Sequence, residues 1–239
     1  MVTVVVIEFG VMRCQPLRRA LYFFREIFVK IINYSYLAIF LTTSQFVLAD
    51  EGLIERKLPV CDYSKLTINV PSTIKLVALG SPSGSVKGAN KELDYLRFKC
   101  LDGSLEISTK DNVLVNEYFK FELVNGSLNH LILNGDQKVD VTELSAKHFE
   151  ITVNGIGKAS LTGQVAFFNA SLNGLAELDA ANLKSEDGRV EVNGAGIAKL
   201  NVSSELNARV NGSGSVEYLG TPVNLKTEVN GSGSITSVP

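Results

Sequence analysis

The dipeptide Asn-Gly recurs at Asn134-Gly135, Asn154-Gly155, Asn173-Gly174, Asn193-Gly194, Asn211-Gly212 and Asn230-Gly231, at intervals of 20, 19, 20, 18 and 19 residues. A unit that short cannot bury an apolar face by itself, so the copies must stack on one another. The residue before each Asn is Leu133, Val153, Leu172, Val192, Val210 or Val229, and three before it stand Leu131, Ile151, Ala170, Val190, Ala208 and Thr227. Five before it, in the last five copies, come Phe149, Phe168, Leu206 and Leu225, with Gly188 as the exception. The positions between are polar. This is period-two alternation, the pattern of a strand with one buried face. Beyond the corner, Ala159, Leu178, Ala198, Val216 and Ile235 stand five after each Asn, within a second alternating strand. A more variable segment closes each copy, with turns expected at Glu186-Asp187-Gly188 and Gly220-Thr221-Pro222.

Two architectures satisfy this pattern. Asn-Gly between alternating strands is a strong hairpin signal, which points to an antiparallel meander. A meander, however, does not require the same corner to return every second strand with the same flanking residues. A parallel β-helix does, because each copy is one coil and equivalent residues stack about 4.8 Å apart. Glycine supplies the positive φ of a sharp corner and Asn tolerates it. Stacked Asn side chains would also hydrogen-bond along their column. The expectation is a right-handed parallel β-helix, the hand following from the bias of parallel crossovers.

Residues 50–130 repeat less cleanly. Leu66, Ile68 and Val70 alternate with polar residues, as do Ile74, Leu76 and Ala78, before a turn-rich run from Gly80 to Gly88. Short strands then lead to Asp102-Gly103 and Asn125-Gly126, read as further glycine corners. No segment of this region has a helical period. Residues 50–130 are therefore read as an irregular β-rich lobe continuous with the helix of residues 131–239.

The opening 49 residues are different material. Residues 31–49 carry no charge and follow Arg25 and Lys30; Val47 and Ala49 are small residues suited to cleavage before Asp50. A basic flank, an apolar run and a small-residue exit make a secretory signal, with an uncleaved anchor as the alternative. A start assigned too far upstream accounts for the long stretch before it. The full chain carries a formal net charge of −2, and without residues 1–49 it carries −5. With no clustered Lys or Arg, that balance excludes nucleic acid as a partner. Export places Cys61 and Cys100 in an oxidising compartment, where a disulfide is expected; two buried thiols are the alternative. Its loop of about 40 residues would contribute on the order of 3–4 kcal/mol.

The text VNGSGSVEYLGTPVNLKTEVNGSGSI at 210–235 doubles Asn-Gly-Ser-Gly-Ser around Gly220-Thr221-Pro222. It resembles the closing repeats of the bacterial head-GIN domain family, whose label is autotransporter adhesin, and the resemblance covers roughly residues 58–239. The resemblance implies an exported, all-β, β-helical domain of the bacterial envelope and no established activity. Asn134-Gly135-Asp136-Gln137 departs from the glycine-rich corner.

Candidate chemistry is sparse. β-Helix enzymes acting on glycans need paired carboxylates, or aspartates on calcium beside a base. Here Glu177, Asp179, Glu191, Glu217 and Glu228 stand singly among Lys158, Arg189, Lys199 and Arg209, as on a solvated face of mixed charge. Asp136, Asp140 and Glu143 form a weak cation candidate, with no loop to converge them. His130 and His148 are too few for zinc and are read as surface or satisfied core residues. Phe168 falls on the inward column, so Phe167 points outward. It is expected to pack against a neighbouring loop, a contact surface being the alternative.

No catalytic, cofactor or metal residues are assigned, and the Asn-Gly pairs are assigned to structure. The function expected is an exported cell-envelope binding or adhesion-like module, periplasmic or on the cell surface, whose partner is an envelope protein or a glycan. Membrane contact is expected only through an uncleaved N-terminal segment. The alternatives are a glycan-active β-helix enzyme, which two carboxylates converging in a groove would favour, and a spacer that oligomerises through the open edge of its last coil.

Overall fold

A computed structural model describes residues 52–110, 113, 115 and 117–239. The expected signal segment lies outside the described residues. Four long strands carry the repeat: β9 (Gln137–Gly155), β10 (Lys158–Gly174), β11 (Glu177–Gly194) and β12 (Ile197–Gly212). Each runs through nearly a whole coil and pairs in parallel with the next. The pairing puts Asn154, Asn173, Asn193 and Asn211 in register. Asn134 joins them from β8 (His130–Gly135) and Asn230 from β14 (Asn224–Gly231). Strands β13 (Ser215–Leu219) and β15 (Ser234–Ser237) complete a solenoid of about five turns. Parallel register disposes of the meander.

The inward columns make one continuous core. Ile151, Val153, Leu172, Val192, Ala208 and Val210 are buried, as are Ala159, Leu178, Ala198 and Val216 across from them. Glu186-Asp187-Gly188 is not the turn expected of it. It continues β11, and Gly188 is buried at the place where other coils carry Phe149, Phe168 or Leu206. Val202 fills the space: a Cβ on Gly188 would stand 2.7 Å from its Cγ2.

The corners join the coils in three ways. Each Asn Nδ2 donates to the Oδ1 of the Asn one coil earlier, at 2.7 to 3.0 Å, from Asn230 down to Asn134. Asn134 donates in turn to Asn69 at 2.7 Å, and Asn69 donates to the Glu106 carboxylate at 2.9 Å. All the amides point one way, so the ladder's positive end meets an anion. Gly155, Gly174, Gly194, Gly212 and Gly231 all have positive φ, and each would place an added Cβ within 2.2 to 2.6 Å of the previous corner's glycine oxygen. Those oxygens also accept backbone hydrogen bonds from the next coil, as from Leu175 to Gly155 at 2.9 Å. Glycine is therefore required by the close approach of backbone as well as by φ.

Two coils of the first half join the same stack, out of chain order. Strands β2 (Lys65–Ile68) and β3 (Ser72–Val77) form the coil next to β8 and β9. Strands β6 (Ser104–Thr109) and β7 (Phe119–Val124) come later in the chain but lie outside them. Antiparallel strands then finish this end. β4 (Ser83–Gly88), within the run read as turn-rich, pairs with β7 and carries β1 (Ile54–Lys57). β5 (Leu96–Leu101) folds back on β6. Their link, Asp102-Gly103, is a hairpin turn rather than a coil corner; both residues have positive φ, as its mirror-image turn requires. Asn125 is likewise no ladder member: it is buried and donates to the Tyr63 carbonyl at 2.8 Å. A single helical turn, α1 (Asn90–Leu93), buries Leu93. A disulfide joins Cys61 to Cys100, with Cα atoms 6.1 Å apart.

Candidate binding groove

Outward side chains also stack in columns, and three ion pairs run from coil to coil. Lys158 pairs with Glu177 at 2.5 Å, Lys199 with Glu217 at 3.2 Å and Arg209 with Glu228 at 2.7 Å, each in register on neighbouring strands. Asn230 donates to Glu228 at 3.0 Å, and together with Arg209 it holds that carboxyl below the usual carboxylate range. Of the acids read as scattered singles, Glu177, Glu217 and Glu228 are thus charge-paired. Such exposed pairs contribute little each but suit a surface of repeating coils.

One column combines aromatic rings with acids. The residues six before each of the last five Asn are His148, Phe167, Asp187, Glu205 and Asn224, and they lie in register. Phe167 does not pack against a loop. Its ring stacks on His148, centroids 4.5 Å apart and planes within 12°, and the side chain is still 40% exposed. On its other side the register neighbour is Asp187, whose short side chain cannot cover a phenyl ring. Asp187 and Glu205 are like charges on adjacent strands, an arrangement that costs stability, and neither forms an ion pair among the described residues. Beside them runs a parallel column, Glu150, Asn169, Arg189 and Asn207. The two columns line an open groove of about 640 Å³, within the size range of ligand sites. Ser145, Lys147, Gln164, Lys184, Glu186 and Ser203, on the preceding segment of the same coils, line a second polar groove of about 520 Å³.

The other sequence candidates do not assemble. Asp136 accepts a hydrogen bond from Tyr118, which raises the phenol above its usual range, while Asp140 points to solvent from β9. Among the described residues no three His, Cys, Asp or Glu side chains converge as a metal would need. His130 and His148 stand apart in role. His130 Nε2 is 3.9 Å from Glu150 at the groove's rim, and His148 supports Phe167. Sequence reasoning flagged Phe167 but missed Asp187 and Glu205, having put Asp187 in a turn. The signal was available: aligning the copies six residues before Asn shows an aromatic pair followed by two acids.

The family described as putative auto-transporter adhesin, head GIN domain, matches residues 62–222. The chain belongs to it. The match starts in the capped first half and ends in the last coils, so the head-GIN domain takes in both kinds of coil seen here. The structure is similar to crystal structures of a putative adhesin from Bacteroides fragilis (TM-score 0.65, 20% identity, 78% of this chain and 97% of that one) and of a putative adhesin from Parabacteroides distasonis (TM-score 0.50, 17% identity, 79% and 98%). A protein from the latter organism described as a putative lipid binding protein is more distant, with a TM-score of 0.48 at 18% identity, over 80% and 98%. No curated protein matches the chain. At these identities the structural likeness shows the head-GIN fold and nothing about ligands.

Proposed function

We propose that this head-GIN chain is exported and works as a non-catalytic, adhesion-like binding module of the bacterial cell envelope, and that the groove beside Phe167 is its contact surface. One observation carries the reading: an exposed aromatic ring, held by its stack on His148, stands in one groove with the side chains of Asn169, Asp187, Arg189, Glu205 and Asn207. The names of the family and of its structural neighbours support the adhesion-like sense.

Asp187 and Glu205 also favour a second reading, glycan cleavage, since they are two carboxylates in one groove. They stand side by side on one flat face, however, and a hydrolytic pair has to flank the scissile bond. Fractionation of bacteria producing the full chain, followed by N-terminal sequencing, tests export. An envelope-bound product starting near Asp50 is expected, and a cytosolic, full-length one overturns the reading. Purified protein should retain envelope material in a Phe167-dependent way and release no reducing sugar ends from it. Steady turnover would transfer the groove to the catalytic reading.

A further inference from the structure

Resting on that reading, we infer that the groove takes a neutral oligosaccharide, with one sugar ring against Phe167. The phenyl group is 40% exposed and lies in the groove among polar side chains, where it offers an apolar face to a ligand. Stacking on His148 fixes it in place, so little side-chain freedom remains to be lost on binding. The side facing Asp187 is the open one, and there the apolar face of a pyranose can lie flat.

The polar groups then discriminate between ligands. A sugar hydroxyl both donates and accepts, so it needs partners of both kinds. Asn169, Arg189 and Asn207 bring donors; Asp187 and Glu205 bring acceptors. An anionic polymer would want Arg189 but would meet Glu150, Asp187 and Glu205. A basic peptide would want those acids but would meet Arg189 and leave Asn169 and Asn207 unused. A neutral saccharide is the class that uses the whole set.

The two acids are free to accept from a ligand. A Lys at either position, as at Lys158 or Lys199 elsewhere on the surface, would neutralise the pair and occupy the acceptors a hydroxyl needs.

The test is a glycan array followed by titration calorimetry on the full-length protein, Phe167→Ala, Phe167→Tyr and the double variant Asp187→Asn with Glu205→Gln. Circular dichroism checks that each variant keeps its sheet. Binding of a neutral oligosaccharide is expected, weakened about tenfold or more by Phe167→Ala, retained by Phe167→Tyr and weakened by the double variant. Preference for an anionic glycan or a basic peptide overturns the proposal, as does neutral-glycan binding indifferent to Phe167. Phe167-dependent retention of envelope protein with no glycan bound overturns it while leaving the binding module intact. Cleavage of a bound neutral glycan supports the ligand class and overturns the non-catalytic reading instead.

Discussion

The two ends of the stack are finished differently. At one end the parallel coils give way to antiparallel strands: β4 and β1 lie over β7, β5 lies over β6, and a disulfide ties the layer together. Phe119, Phe121 and Leu105 beneath it are buried. At the other end β14 and β15 have no outer neighbour among the described residues, and β14 is exposed along its whole length. Leu225 occupies the same inward position as Leu206, yet it is 48% exposed where Leu206 is fully buried. The repeat places the same kinds of residue in every coil, but each derives its stabilising value from the neighbour that covers it. In a solenoid stability is close to a sum of nearest-neighbour terms, so a coil with one neighbour is the weakest.

Four substitutions or treatments probe that contrast. Gly194→Ala should cost about 4 kcal/mol, since it combines a positive φ with a Cβ forced against the Gly174 oxygen. Gly135→Ala has the same φ problem, but its new Cβ meets nothing closer than 3.5 Å, and it should cost only about 1–2 kcal/mol. Equal losses in urea unfolding would show that φ alone fixes the corner glycines. Leu206→Ala should cost about 3 kcal/mol and Leu225→Ala less than about 1. A comparable cost at both would mean that the last coil is covered in solution.

Removing the disulfide, as Cys61→Ser with Cys100→Ser, should lower stability by about 3 kcal/mol. Amide exchange should speed up first in β1 and β5, while the strands of residues 150–210 stay protected; uniform acceleration would deny the capped end its separate standing. The smallest effect concerns acid. The Glu228 carboxyl sits below its usual range in the folded chain, so its contribution is present above the ordinary carboxylate pKa. It is lost as pH falls through the lowered folded value. Protection across residues 224–231, taken relative to the intrinsic exchange rate at each pH, should therefore fall on going from about pH 6 to about pH 3, and Glu228→Gln should remove part of that fall. An equal acid response in the buried coils would assign it to other groups.

Much of the fold was legible because a corner that returns every 18 to 20 residues leaves few solutions. The inward columns, the Asn ladder and Phe168 pointing into the core all follow from period-two alternation. The misreadings share one cause. Glu186-Asp187-Gly188, Asp102-Gly103 and the run 80–88 were judged by turn composition, and local composition does not say which partner a strand will find. Gly188 sits in a strand because Val202 of the next coil takes up the missing volume. Asp102-Gly103 turns a hairpin because β5 pairs with β6.

The groove shows the same division. Phe167 could be marked as outward from parity alone. That it stacks on His148, and that Asp187 and Glu205 extend its column, depends on the register between coils. By itself the sequence determined the coil length, the inward faces and the residues at the corners, since periodicity and glycine's conformational range act locally along the chain. The tertiary structure decided the order of coils in the first half, the capping of one end and the exposure of the other. It also decided the stacking of Phe167 on His148, because these depend on which segments, distant in sequence, come to lie about 4.8 Å apart.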